Sequence, residues 1–217
     1  MDLNRTSLNG DNRAKAGNRM NHLLTGLGIP LEVQAFFHAG NELSFSYGDQ
    51  FERFGSGYHI VPSTQNLWVA GLPHATHLII TYSVMEAMAF ITLNRHRFTR
   101  LEQLAFVAIG NRLHTEQGDW LRQHFPGRKV ILVFGKDLIG HITDIKLTAA
   151  IKNIPIRILY REPVIHIHHG DHLRAFIPEQ ISLHTFQEAF GIRPRFRTAK
   201  AAGSPTFLEQ LKHDTER

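Results

Sequence analysis

The densest set of metal-ligating side chains in this 217-residue chain is His166-Ile167-His168-His169-Gly170-Asp171-His172. On a strand, His166 and His168 fall on one face, and neutral imidazoles two residues apart can share a zinc ion. Gly170-Asp171 reads as a hairpin turn with glycine first, which lets His172 supply a third ligand from across it. The same alternation also describes a hairpin without metal, with Ile165 and Ile167 turned inward. The second chemical signal is cationic. Arginine and aromatic residues interleave in Asn94-Arg95-His96-Arg97-Phe98-Thr99-Arg100 and in Arg193-Pro194-Arg195-Phe196-Arg197-Thr198-Ala199-Lys200. Arg95, Arg97 and Arg100, and then Arg193, Arg195, Phe196, Arg197 and Lys200, suit phosphate pairing with base stacking on single strands. A solvated loop with one apolar anchor would look the same.

Composition narrows the chemistry further. There are 24 basic and 19 acidic residues, for a net charge of +5 with 15 histidines counted neutral. That balance favours an anionic partner, nucleic acid first. The absence of cysteine excludes disulfides, thiolate metal sites and cysteine nucleophiles. No Walker-type loop, G-x-S-x-G, H-E-x-x-H or G-x-G-x-x-G motif occurs. No apolar run approaches the ~18–20 residues of a membrane span, and residues 1–22 lack an apolar leader core. A cytoplasmic protein with no membrane partner is the expectation.

The elements that must position these residues follow from the rhythm of apolar positions. Residues 1–22 are rich in asparagine and poor in large apolar groups, which predicts a disordered arm. Residues 23–76 read as a β-rich subdomain, with short strands at Leu43–Tyr47, Tyr58–Val61 and Leu67–Ala70 in a meander. From 77 to 160 the pattern changes to continuous apolar runs at 78–82, 104–109, 129–134 and 154–159, separated by helical stretches. Strands of that kind are covered on both faces, so a four-stranded parallel sheet with helices on both sides is expected. Residues 161–217 read as a hairpin followed by helices, the last starting at Ser204-Pro205.

The block from 77 to 160 resembles a Toprim domain, the fold shared by topoisomerases and bacterial-type primases. Its flanks are similar to primase-related proteins of bacterial mobile elements. Two stretches carry the resemblance, Leu78-Ile79-Ile80-Thr81-Tyr82-Ser83-Val84-Met85-Glu86-Ala87 and Val133-Phe134-Gly135-Lys136-Asp137-Leu138-Ile139-Gly140. In that family the first strand ends in a glutamate that acts as general acid or base, and the third in Asp-x-Asp, which holds magnesium against a phosphodiester. This chain has Tyr82 at the glutamate position and Gly135 at the first aspartate, leaving Glu86 and Asp137 as the acids of a vestigial site. A lone Asp137 beside Lys136 is a poor magnesium site. The resemblance thus implies a non-catalytic, nucleic-acid-associated accessory protein with no assured cofactor, magnesium or zinc being the metals to consider. The rival expectations are a metal-dependent phosphotransferase or nuclease with a rebuilt site, and a protein-interaction scaffold.

Overall fold

The computed structural model of the chain describes residues 20–192 and 195–216, so most of the expected arm, and Arg193, lie outside the described residues. The described chain opens with two short helices, α1 (His22–Gly26) and α2 (Leu31–Phe36). Strands β1 (Leu43–Ser46), β2 (Phe51–Gly55) and β3 (Tyr58–Ile60) then form an antiparallel meander. Its alternation buries Leu43, Phe45, Glu52 and Phe54 on one side. The meander stops there, because β4 (Trp68–Gly71) leaves it to join the central sheet, a departure from the expected run of strands to Ala70.

The α/β unit follows as β5 (His77–Thr81), α3 (Val84–Leu93), β6 (Leu104–Ala108), α4 (Thr115–His124), β7 (Lys129–Val133) and α5 (Leu138–Ile151). Strand β5 pairs in parallel with both β6 and β7, while β4 pairs antiparallel along the outer side of β6. Ser83 and Asp137 start the helices after β5 and β7, accepting the Glu86 and Gly140 amides at 3.1 and 2.8 Å.

The fourth apolar run does not enter this sheet. It forms β8 (Arg157–Arg161), which Glu162-Pro163 turns directly into β9 (Val164–His169), and β10 (His172–Phe176) completes a separate antiparallel sheet. So short a connection permits only antiparallel pairing, since a parallel neighbour needs a crossover of a dozen or more residues. After α6 (Leu183–Phe190) the chain returns as β11 (Phe196–Thr198), which pairs in parallel with the other side of β7. The central sheet is therefore five-stranded and mixed, in the order β11-β7-β5-β6-β4. The last helix, α7 (Phe207–Thr215), is capped by Thr206, two residues beyond Ser204. No helix among the described residues is long and apolar enough to cross a membrane.

Alternation along β5 builds two cores. Leu78 and Ile80 enter one shared with α4, α5, α6 and β9, whereas Ile79 enters the other, with α1, α2, α3, α7 and the meander. Helix α3 thus follows β5 on one face and α5 follows β7 on the opposite face. The carboxyl ends of these adjacent strands flank the point where an open α/β sheet has its crevice.

Candidate functional site

At this crevice side chains from the strand ends, α5 and the segment after β11 engage one another, while Asp144 Oδ1 and His141 Nδ1 are buried without a partner among the described residues. Tyr82, just past β5, packs its ring on Phe134, just past β7, with centroids 4.5 Å apart. Its hydroxyl lies 2.6 Å from Thr143 Oγ1, which itself donates to the Ile139 carbonyl at 2.8 Å, so the tyrosine is the donor. Burial pushes the Tyr82 phenol up to about 12; Thr143 opposes the shift, and Asp137 and Asp144 add to it. A phenol held there stays protonated near neutral pH and is not a base.

The centre of the site is Lys200, which enters on the segment after β11. Its ammonium donates to Asp144 Oδ2 at 2.7 Å, to the Gly135 carbonyl at 2.9 Å and to the Phe134 carbonyl at 3.3 Å. Three donors meet three acceptors. The Asp144 side chain, on the inner face of α5, is fully buried, and the Lys200 side chain is 18% exposed. Burial pushes the Asp144 carboxyl up to about 6, against the pull of Lys200. His141, half-buried one turn earlier, is held below the usual imidazole range by burial and then by the Lys200 charge, with Asp137 opposing. Gly140 is needed for this packing, because a Cβ there would collide with the Gly135 carbonyl and force the loop off the helix.

Asp137 and Glu86, the two acids singled out from the sequence, are engaged elsewhere. Asp137 caps α5 through the Gly140 amide. Glu86 turns to the other face of the sheet, where its oxygens accept the Phe207 and Leu208 amides at 3.1 and 3.2 Å and so cap α7. Burial raises the Glu86 carboxyl and those amides pull it back. A divalent cation would need several carboxylate or carbonyl oxygens converging on an open position. Here the converging oxygens belong to a fixed ammonium, so the residues present do not fit magnesium.

A further acid was not apparent from the motifs. Glu52 on β2 has no exposed surface. It reaches the start of α3, where Oε2 accepts the Val84 amide at 2.7 Å and the Tyr47 hydroxyl at 2.8 Å. Its Oε1 accepts the Met85 amide at 3.1 Å and lies 3.0 Å from His59 Nε2. The meander thereby fills, with its own carboxylate, the anion site that a helix N-terminus otherwise offers to a ligand. Burial, followed by the Glu52 charge, pushes the Tyr47 phenol far above its ordinary range. The clue in the sequence was alternation, since Glu52 and Phe54 share the inward phase of β2.

The basic clusters are divided by the fold. Arg95 pairs with Glu32 at 2.7 Å and donates to the Phe98 carbonyl, so it is engaged within the chain. Arg97 and Arg100 are exposed. Phe196 is 9% exposed within a core rather than offered as a stacking platform, because strand alternation sends its ring to one face and Arg197 to the other. Lys200 is internal, Arg195 and Arg197 are exposed, and Arg193 lies outside the described residues.

The histidine cluster does not converge. His166 and His168 share the outer face of β9 while Ile165 and Ile167 point into the core. His172 pairs opposite His169, and opposed residues of an antiparallel pair share a face, so His172 lies on the side of Ile167. Among the described residues no three histidine or acidic side chains are grouped to hold a metal ion.

The exposed arginines of the two clusters, Arg97, Arg100, Arg195 and Arg197, lie toward the opposite, amino edge of the sheet, on the segment that leads into β6 and at the start of β11. His77 opens β5 there against Phe98, with ring centroids 6.1 Å apart. Lys129 lies across from His77 in the β5–β7 pair, and burial, then the Lys129 and Arg197 charges, hold His77 below its usual range. Comparison of the chain with protein-family models, with curated proteins and with solved structures finds no match.

Proposed function

We propose that the protein is a non-catalytic nucleic-acid accessory protein, built on a Toprim-like sheet whose crevice has been closed from within. The observation that carries this reading is the Lys200 ammonium, bonded to Asp144 and two strand-end carbonyls between β7 and α5. An ammonium in that position supplies the charge balance that a magnesium ion would otherwise provide, and with its three donors engaged it does not hold a water as a metal would. The Glu52 carboxylate at the start of α3 excludes a phosphate from the other half of the crevice in the same way. Binding then falls to the amino edge, where Arg97 and Arg100 follow α3 and Lys129 and Arg197 sit beside His77.

Single-stranded nucleic acid suits that rim, where exposed arginines flank the Phe98 and His77 rings. If Arg97, Arg100, Arg195 and Arg197 each neutralise a phosphate, log affinity for an oligothymidylate should fall with log salt at about −0.7 per contact, or about −3 in all. Anisotropy titrations in EDTA at about 50 and 200 mM salt read this slope. Changing the four arginines to glutamine should flatten it. Absence of binding by the wild type at the lower salt would remove the nucleic-acid reading and favour a protein-interaction scaffold.

A further inference from the structure

On the face of the amino edge covered by α4 and α5, a cleft of about 190 Å³ opens between the ends of those helices, the Pro126-Gly127 turn and β11. Phe125, Val130 and Phe196 contribute its apolar lining, and Arg122, Arg128 and Lys152 line it with positive charge. Asp119 accepts one bond from Arg122 Nη2 at 2.9 Å, and the Pro73 carbonyl accepts one from Arg128 Nη2 at 3.1 Å. Arg122 Nη1 and Arg128 Nε are both enclosed and have no acceptor among the described residues. Enclosed guanidinium donors of that kind are costly until an acceptor reaches them. Helix dipoles account for Arg122 and Lys152, which lie at helix C-termini. They do not account for Arg128, beyond the turn.

Lys152 adds an ammonium 5.3 Å from the Phe196 ring centroid. Two guanidinium groups and an ammonium around one small cleft suit a tetrahedral oxyanion, whose oxygens a guanidinium takes in pairs. The volume corresponds to roughly six waters, which suits a phosphate ester with part of its sugar and is too small for a duplex. We propose that this cleft binds the phosphate group of a nucleotide, within a strand or free. Its strand-bound form rests on the nucleic-acid reading above; its free form does not.

The test uses the full chain, with oligothymidylate and thymidine monophosphate as separate probes. The wild type should bind the oligomer, and R122Q/R128Q should weaken that binding about tenfold and flatten the salt slope by about 0.7. K152E, a change at an exposed position, should also weaken it while lowering the thermal midpoint by only about 2–4 °C, which separates lost binding from lost folding. Oligomer binding unaltered in both variants, with no binding of the monophosphate, would overturn the cleft and leave the nucleic-acid reading standing. Monophosphate binding lost in R122Q/R128Q, without any oligomer binding, would support the cleft as a free-nucleotide site and overturn the nucleic-acid reading. Binding of neither probe would overturn both.

Discussion

Replacing Lys200 with methionine is expected to destabilise the fold by about 3–5 kcal/mol at pH 8, the cost of leaving one partner of a buried ion pair uncompensated. The loss should be much smaller at pH 5. Asp144 in the folded protein titrates near 6, above the ~3.9 of an unfolded aspartate. A folded-state value raised in this way gives a contribution to stability that is full below about pH 4 and is lost as pH rises through the folded value. At pH 5 most Asp144 carboxyls are already protonated, so little ion pairing remains to be lost. At pH 8 the variant must either bury a bare carboxylate or protonate it far from its unfolded value. Adding Asp144→Asn to Lys200→Met should recover much of the loss at pH 8, because the double variant buries no charge. Urea titrations at the two pH values read all of this, and equal losses at both would show that Lys200 acts through packing alone.

Glu52→Ala should be comparably severe, on the order of 3–5 kcal/mol, because it removes a buried charge and orphans the Val84 and Met85 amides and the Tyr47 hydroxyl at once. Tyr47→Phe removes only one of those bonds and leaves the carboxylate on its backbone donors, so about 1 kcal/mol is expected. The contrast distinguishes an acid that fastens the meander to α3 from one that merely fills space. A Glu52→Ala loss below about 1 kcal/mol in denaturant titration would contradict the role assigned to it.

How much of this could be read from the sequence depended on whether the controlling interactions were local. The runs of β5, β6 and β7 were legible because a strand covered on both faces must be apolar throughout, and Ser83 and Asp137 announced the helices behind two of them. The run at 154–159 had a similar composition, but its fate was decided by the short Glu162-Pro163 connection, which made β9 its partner. The true fourth strand, Phe196–Thr198, is three residues long, too short for any periodic signal. At the crevice, Tyr82, Glu86 and Asp137 stood out by their places after the apolar runs, yet their present engagements were not legible. Lys200 stood among arginines and read as one more surface cation, although it pairs with Asp144, 56 residues earlier in the chain. Such a pairing leaves no trace in spacing. Asp144 itself was overlooked inside the apolar stretch of α5, where a lone acid between Thr143 and Ile145 signals either strain or a buried partner.

Manganese titration of the wild-type protein, followed by calorimetry, tests most directly whether the crevice is closed. With Lys200 bonded to Asp144 and the Gly135 carbonyl, and Asp137 and Glu86 capping helices, no binding tighter than about 1 mM is expected. Binding tighter than that in the wild type, abolished by Asp137→Ala, would contradict the account and restore a metal-dependent enzyme.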